Sequence, residues 1–307
     1  MKKRIVFVAV GALLLAGLML WTATPEQTEY TGFAMGSVLT QTYWGKRSIK
    51  RYAVSPAWSA RHYIEGIIQG VEMGWSFESP FYTNIAPPHV QEVIEASNGA
   101  FDPYIGAVTK LWNIDSKDGS PAYVPTQEEI DEALQKREFD PGAFGKGLAC
   151  GAALSGVEQE GLKAAVINLG GNILTYGQKP WGQPFKIALR DPNGGPNDTM
   201  GAFTLRGTHF ISTSGSYEKY FERDGVRYHH IFDPETGYPA CRDPGLVSVT
   251  VINNNGALGD AISTACFVLG YEESLGLLEK YACDALFVYE NGETRAAGRV
   301  MEYYEAW

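Results

Sequence analysis

Near its C-terminal third the chain switches hydrophobic period within a few residues. Residues 246–252 (Leu-Val-Ser-Val-Thr-Val-Ile) alternate Val with hydroxyl side chains, the two-residue rhythm of a strand. Residues 259–269 are instead small and apolar over a length that suits a helix. Similar switches recur upstream and downstream. Strand patterns fall at 164–169, 185–189, 202–205 and 285–289, and helix patterns at 60–74, 88–98 and 145–157. Residues 102–112 follow a Gly-Ala-Phe-Asp-Pro turn. Thr126-Gln-Glu-Glu129 after Pro125 is a capping box, which opens a helix running to about Arg137. The two kinds of element are interspersed without a βαβ rhythm, so the expected fold class is α+β, a single mixed α/β domain. The 307 residues show no internal repeat or low-complexity linker, and one domain over 28–307 accounts for them.

The first 27 residues read differently. Lys2-Lys3-Arg4 precedes an apolar run over 5–21, the basic-then-apolar order of an export signal. The run is near the lower limit for spanning a bilayer, and no clear small-x-small cleavage site follows. A removed peptide and an uncleaved anchor in the bacterial cytoplasmic membrane are both open. In either case the body is expected outside the cytoplasm, associated with the membrane through this segment if it is kept. No Cys follows the run, which excludes a lipoprotein anchor.

With 25 Lys and Arg against 35 Asp and Glu, the net charge is −10, so a nucleic-acid partner is not expected. An anionic ligand would need a local cation or a helix N-terminus to offset this field. The four cysteines, Cys150, Cys241, Cys266 and Cys283, form no CxxC pair, and a zinc site is not expected. Cys150 and Cys266 lie in apolar helical stretches and read as small core residues.

Two constellations carry chemistry. Asp260, Ser263 and Thr264 stand at i, i+3 and i+4 of the 259–269 helix and so share a face. The bland reading makes Asp260 a helix cap and turns both hydroxyls back on the helix's own carbonyls. The chemical reading is a hard-oxygen half-site for Mg²⁺, completed by carbonyls, phosphate oxygens and water. Upstream, His229-His230-Ile231-Phe232-Asp233-Pro234-Glu235-Thr236-Gly237 sets two imidazoles beside a tight turn. A histidine there can take a proton from a hydroxyl nucleophile.

Weaker signals accompany them. Residues 139–147 (Phe-Asp-Pro-Gly-Ala-Phe-Gly-Lys-Gly) form a glycine-rich entry to a helix, able to cradle phosphate with Lys146, although the spacing is not that of a Walker A loop. Ile167-Asn168-Leu169-Gly170-Gly171-Asn172 ends a strand in two glycines, and Gly99-Ala100-Phe101-Asp102-Pro103 is a second such turn. The hydroxyl run 212–217 lacks the GxSxG pattern of a serine hydrolase.

In this order the motifs resemble the FAD:protein FMN transferases, the ApbE family. Ala34-Met35-Gly36-Ser37, residues 188–192 (Ala-Leu-Arg-Asp-Pro) and Thr213-Ser-Gly-Ser-Tyr217 join the blocks above, from about residue 33 to 270. The resemblance implies a T-fold-like domain that cleaves FAD with Mg²⁺ and releases AMP. The FMN is attached through a phosphoester bond to a Thr or Ser of an acceptor flavoprotein subunit outside the cytoplasm. It implies Asp260, Thr264 and the Ala143 carbonyl as Mg²⁺ ligands, with Ser263 at a position that is Asp in some members. Met35, Trp75, Ala100, Phe101, Asp102, Asp140, Lys146 and Ile231 match positions that contact FAD, and His230 matches the catalytic base.

The chain also departs from the pattern. The stretch 44–98 is short and less family-like, Gly151 stands where many members carry Asp, and Asp140-Pro141-Gly142 replaces a more usual Asp-Leu-Gly. Two alternatives remain at this stage. The same site admitting water would hydrolyse FAD to FMN and AMP, and a chain that only binds flavin would do neither. The joint presence of His230, Asp260 and Thr264 argues against the second.

Overall fold

The computed structural model describes residues 25–46, 56–74, 86–114 and 123–307; most of the leader and Trp75 lie outside these. An eight-stranded sheet organises the fold. It contains β1 (Pro25–Ala34), β2 (Ser37–Lys46), β3 (Ala164–Leu169), β4 (Asn172–Gly177), β7 (His209–Gly215), β10 (Leu246–Asn253), β11 (Asp284–Tyr289) and β12 (Thr294–Ala297). The order is β1-β2-β3-β4-β7-β10-β11-β12, and every neighbouring pair is antiparallel.

Helices line one face of this sheet. The helix α1 (Pro56–Gly74) packs on β1 and β2. Beyond α2 (Pro88–Ala96), α3 (Gly106–Trp112) and α4 (Gln127–Leu134), α5 (Gly145–Gln159) crosses β3 and β4. The helix α6 (Gly256–Leu269) lies on β7 and β10, and α7 (Tyr271–Lys280) on β11 and β12. The opposite face carries a three-stranded sheet of β5 (Phe185–Arg190), β6 (Thr199–Leu205) and β13 (Tyr304–Ala306). Phe185, Ile187, Phe203 and Leu205 of that sheet pack against Ile211, Ile252, Leu286 and Val288 of the larger one. A separate two-stranded ribbon pairs β8 (Tyr220–Arg223) with β9 (Val226–His229).

This layering explains the strand that stands out in the sequence. All eight residues of β10 are buried, because helices cover one face and the small sheet the other. Val249 and Val251 belong to the helix-side core, and Ile252 to the core under the small sheet. Thr250 spends its hydroxyl on Thr213 of β7, 2.9 Å away. The architecture is α+β, as expected, with seven α-helices among the described residues.

Local predictions hold where a mechanism underlies them. Thr126 and Glu129 exchange both bonds of the capping box, although α4 stops at Leu134 rather than Arg137. The helix expected over 259–269 starts three residues earlier, at Gly256, because the Asn255 side chain caps it by accepting from Leu258 N–H at 3.0 Å. Cys150, Cys266 and Cys283 are buried, Cys241 is exposed, and all four are free. Burial pushes the Cys150 and Cys266 thiols up to about 12, which suits inert core residues.

Candidate active site

Two helices that nearly touch build the centre. At Gly147 of α5 a methyl group would sit 2.2 Å from the Gly256 carbonyl oxygen and 2.5 Å from Asp260 Cβ on α6. Only glycine allows that approach. It brings Asp260 Oδ2 within 2.8 Å of the Gly147 N–H, which donates to it. Asn172, the first residue of β4, donates its side-chain amide to Asp260 Oδ1 at 3.2 Å. The carboxylate is buried in the second turn of a helix that Asn255 already caps, so the capping reading of Asp260 does not apply. Burial raises its carboxyl above the ordinary range, against the opposing pull of Lys146 and the two hydrogen bonds.

One helical turn on, Thr264 points to another element. Its Oγ1 lies 3.4 Å from the Ala143 carbonyl, to which it donates, at the end of the 3₁₀ turn Pro141–Ala143. Ser214 of β7 lies 3.3 Å from the Thr264 hydroxyl and 2.8 Å from Ser263 Oγ. Ser263 itself is fully buried and donates to the Asp260 carbonyl at 2.9 Å. A carboxylate, an alcohol and a backbone carbonyl thus converge from two elements, with Ser263 committed to the helix and to Ser214.

This donor set fits a hard divalent cation. Among the described residues no three His, Cys, Asp or Glu side chains gather, which disfavours a thiolate or imidazole-rich site. One carboxylate with neutral oxygens is the sparse protein coordination that Mg²⁺ accepts when phosphate and water supply the rest. Asn172 Oδ1 is buried beside it without a hydrogen-bond partner.

Groups able to bind phosphate stand next to this donor set. Lys146, in the first turn of α5, donates from Nζ to the Gly170 carbonyl at 3.3 Å; the N-cap residue Phe144 makes no side-chain cap, and Asp260 takes the Gly147 N–H of this helix start. Gly170 and Gly171 form the two-residue turn of the β3–β4 hairpin, with φ of 54° and 87°, the type I′ geometry that glycine adopts without strain. A methyl group at Gly170 would meet Ser37 Oγ at 2.4 Å. That contact brings in the β1–β2 hairpin, whose own two-residue turn is Met35-Gly36, with Met35 in the left-handed region at φ 49°. A residue held there is strained, a state concentrated at ligand sites.

A neighbouring wall holds the other matched residues. Ala100, Phe101 and Ile231 are buried in one apolar cluster with Ala257 and Ala261 of α6. Asp102 accepts from Tyr104 N–H at 2.9 Å and pairs with Arg137 at 2.6 Å. Asp140 caps the 3₁₀ turn through Gly142 N–H at 2.8 Å, while its own N–H donates to the Pro103 carbonyl. The 99–103 turn is thereby tied to the Ala143 side of the centre.

The two histidines separate cleanly. His229 is buried, with Nε2 3.1 Å from the Ala240 carbonyl and Nδ1 accepting from Ile231 N–H at 3.3 Å, so both ring nitrogens are engaged. His230 is half-buried and engages only Nδ1, 3.2 Å from the Lys219 carbonyl. A carbonyl can only accept, so Nδ1 carries the proton and Nε2 is left as a free base. Burial first, then His229, Lys219 and Lys146, pull the His230 imidazole down to about 4, so it is neutral at pH 7.

Comparison with known proteins decides the family. The model described as ApbE family matches residues 88–287. The chain belongs to the ApbE family. It is 35% identical over 244 residues to the FAD:protein FMN transferase of Treponema pallidum, covering 68% of this chain and 66% of that one. The chain spans somewhat less than two thirds of the length of the curated relatives it matches. Among solved structures, the ApbE protein of Thermotoga maritima superposes with a TM-score of 0.75 at 26% identity, covering 91% of this chain and 99% of that one. The Pseudomonas stutzeri flavinyl transferase ApbE gives 0.71 at 27% identity, covering 91% and 96%.

Within this ApbE-family fold, Ala143, Lys146, Asp260 and Thr264 gather at the centre. The Met35 turn reaches it through Ser37, and the 99–103 and 140 segments flank it. Trp75 lies outside the described residues. Asn172 and Ser214 stood in recognised sequence blocks but carried no assigned role. Only the antiparallel neighbours β4 and β7 bring them to α6, so no local pattern marks them.

Proposed function

We propose that this chain transfers FMN from FAD to a Thr or Ser hydroxyl of an acceptor flavoprotein, releasing AMP. The observation that carries the reading is the convergence of Asp260, Thr264 Oγ1 and the Ala143 carbonyl beside Lys146. A hard-oxygen site next to a phosphate-binding lysine suits a pyrophosphate substrate, and the relatives named as FAD:protein FMN transferases support the flavin.

Asp260, Thr264 and Ala143 would hold Mg²⁺, which when bound withdraws charge from the phosphates. Lys146 and the N–H groups at the start of α5 that Asp260 leaves open bind phosphate oxygens and offset the protein's net negative charge. The Ala100–Asp102 turn, Asp140, Ile231 and the Met35 hairpin form the walls that orient the dinucleotide. His230 Nε2 takes the proton from the acceptor hydroxyl, whose oxygen attacks the FMN-side phosphorus. The bond from that phosphorus to the bridging oxygen breaks, and AMP leaves with the bridging oxygen. Because Nδ1–H is fixed on the Lys219 carbonyl, the tautomer needed at Nε2 is present before substrate binds.

The basic-then-apolar leader supports a place outside the cytoplasm, where the acceptor would be met. Mass spectrometry of a candidate acceptor incubated with FAD and Mg²⁺ tests the reading. An FMN-sized adduct on Thr or Ser is expected. Soluble FMN and AMP without protein-bound flavin would assign hydrolysis instead.

A further inference from the structure

We infer that Asn172 is a positioning residue for the cation site, holding Asp260 through its amide N–H and presenting its buried Oδ1 to a water on the cation. The inference rests on the cation reading of Asp260 and Thr264 given above. Asn172 is 1% exposed and follows the Gly170-Gly171 turn, so its backbone is fixed by pairing with Leu169 on one side and Ser212 on the other. Its carbonyl accepts from Cys150 Sγ at 3.4 Å, a further tie to α5.

The side chain has one orientation open to it. Facing a carboxylate oxygen at 3.2 Å, it must turn its N–H toward Asp260, because the reverse would set two acceptors against each other. That choice strands Oδ1 in the interior with no donor. A buried amide oxygen without a partner is disfavoured, and an apolar residue of similar size would avoid the problem. The two ends make sense together if the site is read as loaded. The N–H fixes which lone pairs of Asp260 face the cation, and Oδ1 accepts from a water in the cation's shell. Groups that orient a metal ligand in this way contribute to affinity without touching the metal.

Mn²⁺ titration of the full chain, followed by electron paramagnetic resonance, tests this directly with Mn²⁺ standing for Mg²⁺. For Asn172→Ala the Mn²⁺ dissociation constant should rise about 10–100-fold. In EDTA the thermal midpoint should fall only modestly, as buried Asp260 Oδ1 loses its amide donor, and the quenching of FAD fluorescence should stay as in the wild type. A structural role alone would lower that midpoint without the Mn²⁺-specific loss. Asn172→Ser keeps a polar group but is too short to make both contacts; it should weaken Mn²⁺ in the same way and serves if the alanine variant does not fold. Wild-type Mn²⁺ affinity in the folded variant overturns the inference, provided Asp260→Asn abolishes Mn²⁺ binding. If Asp260→Asn also leaves Mn²⁺ bound, the cation lies elsewhere and the underlying reading falls together with this one.

Discussion

At the scale of single residues, adjacent histidines of the same type do different jobs because of what their nitrogens touch. His229 ties the strand end to the Ala240 loop through both nitrogens, and His230 keeps Nε2 free. Replacing His230 by Ala is expected to lower transfer about 10²–10⁴-fold, the usual worth of a general base. FAD binding should be retained, as flavin fluorescence would show. Both imidazoles sit at about 4 in the fold against an ordinary 6.5. The unfolded chain therefore takes up their protons first as pH falls. Their contribution is fully present above pH 6.5 and is lost as pH drops through 4. For buried His229 the loss is at most about 3 kcal/mol, at ~1.4 kcal/mol per pH unit. Urea midpoints at pH 7 and pH 4.5 would register it as a marked drop, and equal midpoints would contradict it.

At the scale of elements, the site depends on how closely α5 and α6 approach. Gly147→Ala would drive a methyl group into the Gly256 carbonyl, so the helices must separate. The expected cost is about 2–3 kcal/mol in chemical denaturation, with loss of Mg²⁺-dependent FAD cleavage as Asp260 moves off Gly147 and Thr264 off Ala143. Gly151 provides the contrast one turn further along α5. A methyl group there meets nothing within 4 Å, so Gly151→Ala should be neutral or stabilise the helix by up to about 1 kcal/mol. The two variants share a helix and a chemical change, and differ only in what faces them. The Lys146-Gly147 pair was legible in the sequence as part of a helix entry. That Gly147 serves a helix crossing, rather than a phosphate loop alone, was not, because its neighbours lie more than a hundred residues away.

For the whole molecule, the centre joins α5, α6, the 3₁₀ turn and the hairpin turns of the large sheet, so occupancy should reinforce packing throughout. Thermal unfolding with saturating FAD and Mg²⁺ should show a higher midpoint than with FAD in EDTA. At about 100 times the dissociation constant the gain is ~2.7 kcal/mol. Asp260→Asn should lose the Mg²⁺-dependent part of that shift. An undiminished shift in this variant would remove Asp260 from the cation site.

Sequence alone determined what rests on neighbours along the chain. The capping box at Thr126, the β10 strand, the shared face of Asp260 and Thr264, and the glycine turns were all legible because helix and strand periods and turn conformations are local. The order of motifs pointed to the family in the same way. Strands β1, β2, β4, β7, β8, β9, β12 and β13 and helix α7 carried weaker local patterns, and burial by partners distant in sequence completes several of them. Tertiary structure decided that Asn255 and not Asp260 caps α6, that His230 and not His229 keeps a free nitrogen, and that Asn172 and Ser214 stand beside Asp260, Ser263 and Thr264. The Asn255 cap is local, a bond to Leu258 N–H that Asp260 leaves to it by turning to Gly147 and Asn172, whereas the contacts of Asp260, Asn172 and Ser214 join segments roughly fifty or more residues apart and exist only once sheet and helices are assembled.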